Sequence, residues 1–214
     1  MISGRSLLLF DFDGVLADSI DVTLNVSSQV AREFGAAGEM NRELLSSLEE
    51  MTIECGGRAM GVPEEELQRF KSALRARYET MDQDYRIFSG VKSALRALSA
   101  HHLLGVVTNN SEKLVRRFSR THGIDDLLRL ILGIETGGEK SARILQAARE
   151  SAVSLEQTYM LGDAASDILE ARRAGCKAIG VTWGFQGRKF LEAAGPDYLL
   201  SSPEQLVDLF CRSN

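Results

Sequence analysis

The chain is short of the residues that staple or metallate small domains. It has three cysteines, Cys55, Cys176 and Cys211, and three histidines in 214 residues, with no Cys-x-x-Cys pair. That scattered, odd set argues against a disulfide framework and a zinc site, and reads as free thiols in a reducing compartment. Excess positive charge is also missing. Lys and Arg number 25 against 30 Asp and Glu, a formal net charge of -5, so there is no basic footprint for nucleic acid or an anionic membrane surface. A phosphorylated ligand would have to be held locally, by a few cations and backbone donors. No apolar run is long enough to span a bilayer, and the first one, in MISGRSLLLF, is too short for a secretory signal. These absences point to a cytoplasmic protein.

What is present is ordinary globular composition, 44% hydrophobic and 26% charged, enough for a real core. The length suits one large domain or one domain carrying an insertion. Short apolar runs at 7–12, 103–107, 130–132, 159–161, 178–181 and 198–200 end abruptly in polar residues or glycine. Between most of them lie segments of helical spacing, such as Val91, Ala94, Leu95 and Leu98. Alternating strand and helix predicts an α/β fold, a Rossmann-like, doubly wound parallel sheet. The rhythm breaks between Ser19 and Phe88, where the spacing predicts helices over 22–34, 42–54 and 64–81 and no strand. That interval is too long for one crossover. It reads as an inserted helical domain, residues 19–88, on a core made of 1–18 and 89–214. No internal repeat is evident.

The stretch LLLFDFDGVLADS, residues 7–19, puts two carboxylates at the end of the most apolar strand. Residues two apart in a strand point the same way, so Asp11 and Asp13 point together if the extended form persists. Open α/β sheets bind ligands outside the carboxyl ends of their strands. Like charges that close repel, and burial adds to the cost; a divalent cation with hard oxygen ligands, Mg²⁺, would offset both. The same sheet edge recurs downstream. Asp163 ends the run at 159–161, and Asp167 follows on a helical start. Thr108, Asn109 and Asn110 end the run at 103–107, where a hydroxyl, amides and helix N–H groups could hold a phosphate. Lys140 opens another helix after Gly137 and Gly138. A carboxylate cluster, an anion cradle and a lysine are the parts that phosphoryl transfer needs.

In those residues the chain resembles the haloacid dehalogenase superfamily, in its phosphoglycolate phosphatase-like branch with a helical cap after the first strand. Four ordered motifs carry the likeness: 11–16 (DFDGVL), Thr108-Asn109, Lys140, and 162–167 (GDAASD), followed by 180–185 (GVTWGF). The resemblance implies a phosphatase acting on a small phosphorylated metabolite. It makes Asp11 the nucleophile, through an aspartyl-phosphate, and Asp13 the acid and base. Thr108 and the Asn109 backbone would bind the phosphoryl group, and Lys140 would offset its charge. Asp11, the Asp13 backbone carbonyl, Asp163 and Asp167 would hold Mg²⁺, Asp167 directly or through water.

The carboxylate at Asp13 favours phosphate esters, since the dehalogenases and the C–P hydrolases of the superfamily lack one there. The sugar-phosphate mutase branch usually carries a histidine where this chain has Thr23. A binding protein without turnover remains as a third reading, opposed by the retention of both Asp11 and Asp13. Two positions depart from the common pattern: Lys140 is followed by Ser141 rather than proline, and Asn110 stands where a lysine is frequent. Asp18 and Ser19 read as caps of the first inserted helix, Arg58 as a solvated surface residue, and Trp183 as packing.

Overall fold

A computed structural model describes residues 5–80 and 85–211. In chain order the elements are β1 (Leu7–Phe10), β2 (Ala17–Asp18), α1 (Ile20–Glu33), α2 (Arg42–Ser47), α3 (Ile53–Met60), α4 (Leu67–Thr80), β3 (Arg86–Ile87), α5 (Val91–Ser99), β4 (Leu103–Val107) and α6 (Glu112–His122). There follow β5 (Leu128–Leu132), α7 (Lys140–Ser151), β6 (Thr158–Gly162), α8 (Ala165–Ala174), β7 (Lys177–Val181), α9 (Arg188–Ala194), β8 (Tyr198–Leu200) and α10 (Pro203–Cys211).

Six strands form one parallel sheet in the order β5-β4-β1-β6-β7-β8. Strand β1 lies in the middle, which is why Leu7, Leu8, Leu9 and Phe10 are all apolar and all buried. Its side chains alternate between the two faces. Leu8 and Phe10 join Leu95 and Leu98 of α5, Phe118 of α6 and Phe210 of α10. Leu7 and Leu9 join Ile144 and Ala147 of α7 and Ile168 and Ala171 of α8. Helices thus cover both faces, as the alternating pattern predicts. Fully burying each of these leucines is worth about 1.5–3 kcal/mol.

Strand β1 stops at Phe10, two residues short of the predicted run. Gly14 takes a left-handed φ of 71°, and the Leu16 and Ala17 amides return to the Phe12 carbonyl. The chain therefore turns there rather than staying extended through Asp13. Phe12 is buried against the edges of Tyr85 and Phe118.

Helices α1 to α4 fill most of the interval where no strand was expected, around a separate cluster that includes Val26, Val30, Met60, Phe70 and Leu74, but its end holds the short strand β3, which the spacing did not predict. The chain leaves the sheet and returns along a two-residue antiparallel ribbon, Ala17 opposite Ile87 and Asp18 opposite Arg86. The helix predicted over 42–54 is two helices. Leu48 is extended, and Thr52 caps α3 by accepting the Cys55 amide. The break has a cause elsewhere in the fold: the Leu48 and Glu49 carbonyls, freed from helical bonding, accept from the Gln186 side chain. The helix predicted over 64–81 begins as a 3₁₀ turn at Glu64–Glu66; its last residue, Met81, lies outside the described residues. Among the described residues no helix is long and apolar enough to cross a membrane.

Candidate functional site

Numbered within the six-stranded sheet alone, the strands run 3-2-1-4-5-6, so the connections reverse direction beside β1. Such a reversal opens a crevice at the carboxyl ends of the strands. Asp11 follows β1 directly, Thr108 follows β4 and Asp163 follows β6. The Asp11 amide donates to the Leu161 carbonyl at 2.9 Å, so the nucleophile candidate is pinned to the strand next door. Lys140 is the first residue of α7, and Asp167 lies in the first turn of α8.

These residues converge. One carboxylate oxygen each from Asp11, Asp163 and Asp167 lie within 4.8 Å of one another. Lys140 Nζ lies 2.9 Å from Asp11 Oδ2 and 2.6 Å from Asp167 Oδ1. Burial works against the lysine's charge, but Asp11 and Asp167 outweigh it and hold its pKa above the ordinary value. Lys140 therefore stands among the acids with no proline at 141. Asp167 is pushed up to about 6 by burial, with Lys140 pulling the other way. Asp163 is raised well above the ordinary carboxylate value, by burial and then by the charge of Asp167, against the opposing hydrogen bond from the Phe185 amide. Among the described residues Asp163 has no cation partner. Three glycines make this crowding possible. A Cβ on Gly14 or Gly184 would overlap the Asp163 side chain, and one on Gly162 would overlap that of Asp167.

Three carboxylates so close, two of them buried with raised pKa values, and a single lysine between them form an all-oxygen, charge-frustrated set. It fits a hard divalent cation. Asp13 stands outside the cluster. Its carboxylate accepts from Ser19 Oγ at 2.5 Å and from Asn110 Nδ2 at 2.5 Å. Burial raises its pKa, the two hydrogen bonds opposing it and the charge of Asp11 adding to it. Ser19 does occupy the position before α1, but its hydroxyl makes no cap bond. The capping role expected of it is replaced by the bond to Asp13. Asn110, read as part of the segment that could hold a phosphate and as a departure from the common pattern, is a direct partner of the same carboxylate.

Thr108 and Asn109 differ in access. Thr108 is 1% exposed, its hydroxyl accepting the Asn110 amide at 3.3 Å. Asn109 is exposed and lines the cavity. Behind both lies Arg143, which nothing in the sequence pattern singled out. It sits one helical turn after Lys140, is 3% exposed, and donates to the Thr108 carbonyl, the Gly133 carbonyl and Asn109 Oδ1. A cavity of about 660 Å³ opens over the cluster. Asp11, Asp13, Lys140, Asp163 and Asp167 line its floor, and residues of α1, α3 and α4, among them Thr23, Ser27, Glu54, Lys71 and Tyr78, line its other side. Lys71 is paired with Glu54. Arg58 is exposed and bonded to Glu64 through two nitrogens, and the Trp183 indole donates to the Val15 carbonyl. Both match their surface and packing readings.

Comparison with known proteins agrees with this geometry. The chain is 28% identical over 202 residues to a phosphoglycolate phosphatase of Synechococcus elongatus, covering 94% of each chain. It is 27% identical over 216 residues to a phosphoglycolate phosphatase of Vibrio vulnificus, covering 95% of each. Among solved structures, a haloacid dehalogenase-like hydrolase of Streptococcus pneumoniae superposes with a TM-score of 0.84 at 22% identity, over 96% of this chain and 98% of that one; at that identity the likeness concerns the fold. A family model of haloacid dehalogenase-like hydrolases matches residues 8–181, from β1 through β7 and so across every strand end described above. With the family's sheet, its ordered motifs and that match together, the chain belongs to the haloacid dehalogenase-like hydrolases.

Proposed function

We propose that the chain is a magnesium-dependent phosphatase that hydrolyses a small phosphate monoester through a phosphoenzyme on Asp11, with phosphoglycolate the first compound to test. The observation that carries this reading is the site floor. An aspartate held by lysine lies beside a second, half-buried aspartate whose carboxylate is separately hydrogen-bonded and has its pKa raised. A nucleophile and an acid two residues apart are what ester cleavage with an alcohol leaving group requires. The names of the relatives supply the substrate class.

In this reading the Asp11 carboxylate attacks phosphorus, forming an acyl phosphate as the P–O ester bond breaks. Asp13 gives its proton to the departing alkoxide. Asp13 then accepts a proton from the water that attacks phosphorus, and inorganic phosphate leaves with Asp11 restored. Thr108 and Asn109 hold the phosphoryl oxygens, and Lys140 balances charge on Asp11. Asp11, Asp163, Asp167 and the Asp13 backbone carbonyl would hold magnesium, whose charge offsets that of the carboxylates and the phosphoryl group. Residues 19–88 act as a cap domain on a core of 1–18 and 89–214, excluding bulk water from the cavity and selecting the leaving group.

The test is a phosphate-release screen over many metabolite monoesters, with and without magnesium, on wild type and Asp11→Asn. The expected result is magnesium-dependent turnover that falls by at least about a thousandfold in the variant while its circular dichroism is unchanged. Turnover by Asp11→Asn near the wild-type rate would remove the nucleophile assignment.

A further inference from the structure

Arg143 is the one strongly built feature beside the site that the proposed reaction leaves without a role. A buried cation is costly unless its charge is matched, yet among the described residues no carboxylate bonds to it. Its hydrogen-bond partners are two backbone carbonyls and an amide oxygen, and its Nε has none. Against burial, the charges of Asp11 and Glu170 favour its charged form, but every bond it makes goes to a neutral oxygen.

The contact to Asn109 shows what these bonds do. Arginine has only donors, so the Asn109 atom that faces it, 2.5 Å from Arg143 Nη2, is the amide oxygen. The Nδ2 group is then the end of the amide that Arg143 does not hold, and Asn109 is exposed and lines the cavity that holds the carboxylate cluster. With Thr108 and Gly133 tied to Nη1, one guanidinium joins the ends of β4 and β5 and sets which face of the Asn109 amide meets the ligand. We propose that Arg143 is a positioning residue of the phosphoryl-binding cradle, turning the Asn109 amide so that its N–H groups face the anion. This inference rests on the phosphatase reading.

The probe is inorganic phosphate, titrated against the magnesium-loaded full chain by calorimetry and as a competitive inhibitor of p-nitrophenyl phosphate hydrolysis. Removing a charge-assisted arrangement of this kind costs about tenfold or more in affinity. Arg143→Met is therefore expected to weaken phosphate about tenfold and to raise KM more than it lowers kcat. In an Asn109→Ala background the same change should cost less than about threefold, because the amide it orients is gone. An equal loss in both backgrounds, or no loss in either, overturns the assignment. Asn109→Asp gives a second route if Arg143→Met does not fold. It keeps an acceptor for Arg143 but replaces the cavity-facing donors with an oxygen, so phosphate binding should weaken about tenfold at an unchanged melting temperature. Undiminished phosphate affinity in Asn109→Asp also overturns it. A wild-type protein that hydrolyses no phosphate ester would instead remove the phosphatase reading, which keeps the two failures apart.

Discussion

Replacing Asp163 by asparagine should make the metal-free protein more stable and the magnesium-bound protein less so. The Asp163 carboxylate is buried, has no cation partner among the described residues, and has its pKa raised by burial and by Asp167. A carboxyl whose folded pKa lies above its unfolded value destabilises the fold at neutral pH, and the penalty fades as pH falls through the folded pKa toward the unfolded one. Each unit of such a displacement corresponds to about 1.4 kcal/mol, which at this chain length moves the melting temperature by roughly 3–5 °C. Asparagine removes the charge and keeps an oxygen for the Phe185 amide, which donates to Asp163 Oδ2 at 2.7 Å. In EDTA at pH 7.5 the variant should therefore melt at least about 3 °C above wild type, and the gap should close as the buffer approaches pH 4. Magnesium reverses the order. A ligand at a hundred times its dissociation constant stabilises the folded state by about 2.7 kcal/mol, a gain wild type should show and the variant should largely lose. Scanning calorimetry of both proteins, in EDTA and in magnesium, across that pH range reads all of this. A variant no more stable than wild type in EDTA, or one that magnesium stabilises equally, would refute the charge-frustration argument.

Three further outcomes follow from the same coordinates. Gly184→Ala puts a Cβ into the Asp163 side chain and the Gly14 carbonyl; we expect a loss of about 1–3 kcal/mol by urea titration and of magnesium-dependent turnover together. Gln186→Ala removes the bonds to Leu48, Glu49 and the Ala165 amide, so limited proteolysis should cleave the 48–52 segment faster than in wild type, at a stability cost of about 1–3 kcal/mol. His102 is buried neutral: Nδ1 accepts the Ser6 amide and Nε2 donates to the Phe210 carbonyl, while burial lowers its pKa. Its contribution is therefore present above the unfolded histidine value and lost as pH falls below about 6.5. Chemical denaturation between pH 7.5 and 5.5 should show a shallower decline for His102→Gln than for wild type.

The legible parts of this fold are those written in contiguous residues. The inner strands, buried on both faces, are apolar runs, and all six sheet strands stood out as such; several acids near the ends of such runs mean more than one alone would. Asp11 and Asp163 were placed in one site on that ground, Asp167 and Lys140 from their places at helix starts nearby, and the structure brings the four together. What escaped notice depends on partners distant in sequence. Arg143 reads as an ordinary charged residue of α7 until the Thr108 and Asn109 loop lies against it. Ser19 looks like a helix cap because its local sequence is that of a cap, yet its hydroxyl is claimed by Asp13. The break after Ser47 has no glycine or proline to announce it; Gln186, over a hundred residues away, takes the carbonyls that a continuous helix would have used.

Residues 185 and 186 carry a consequence for exchanging the α1–α4 segment between related hydrolases. The Phe185 amide holds Asp163, and the neighbouring Gln186 side chain grips the turn between α2 and α3. A transplanted set of helices that lacks a matching turn would leave that glutamine without its partners and slacken the loop whose amide is bonded to Asp163. Any chimera built on this scaffold should move the 183–187 segment along with the helices it clasps, treating the two as one inheritable unit.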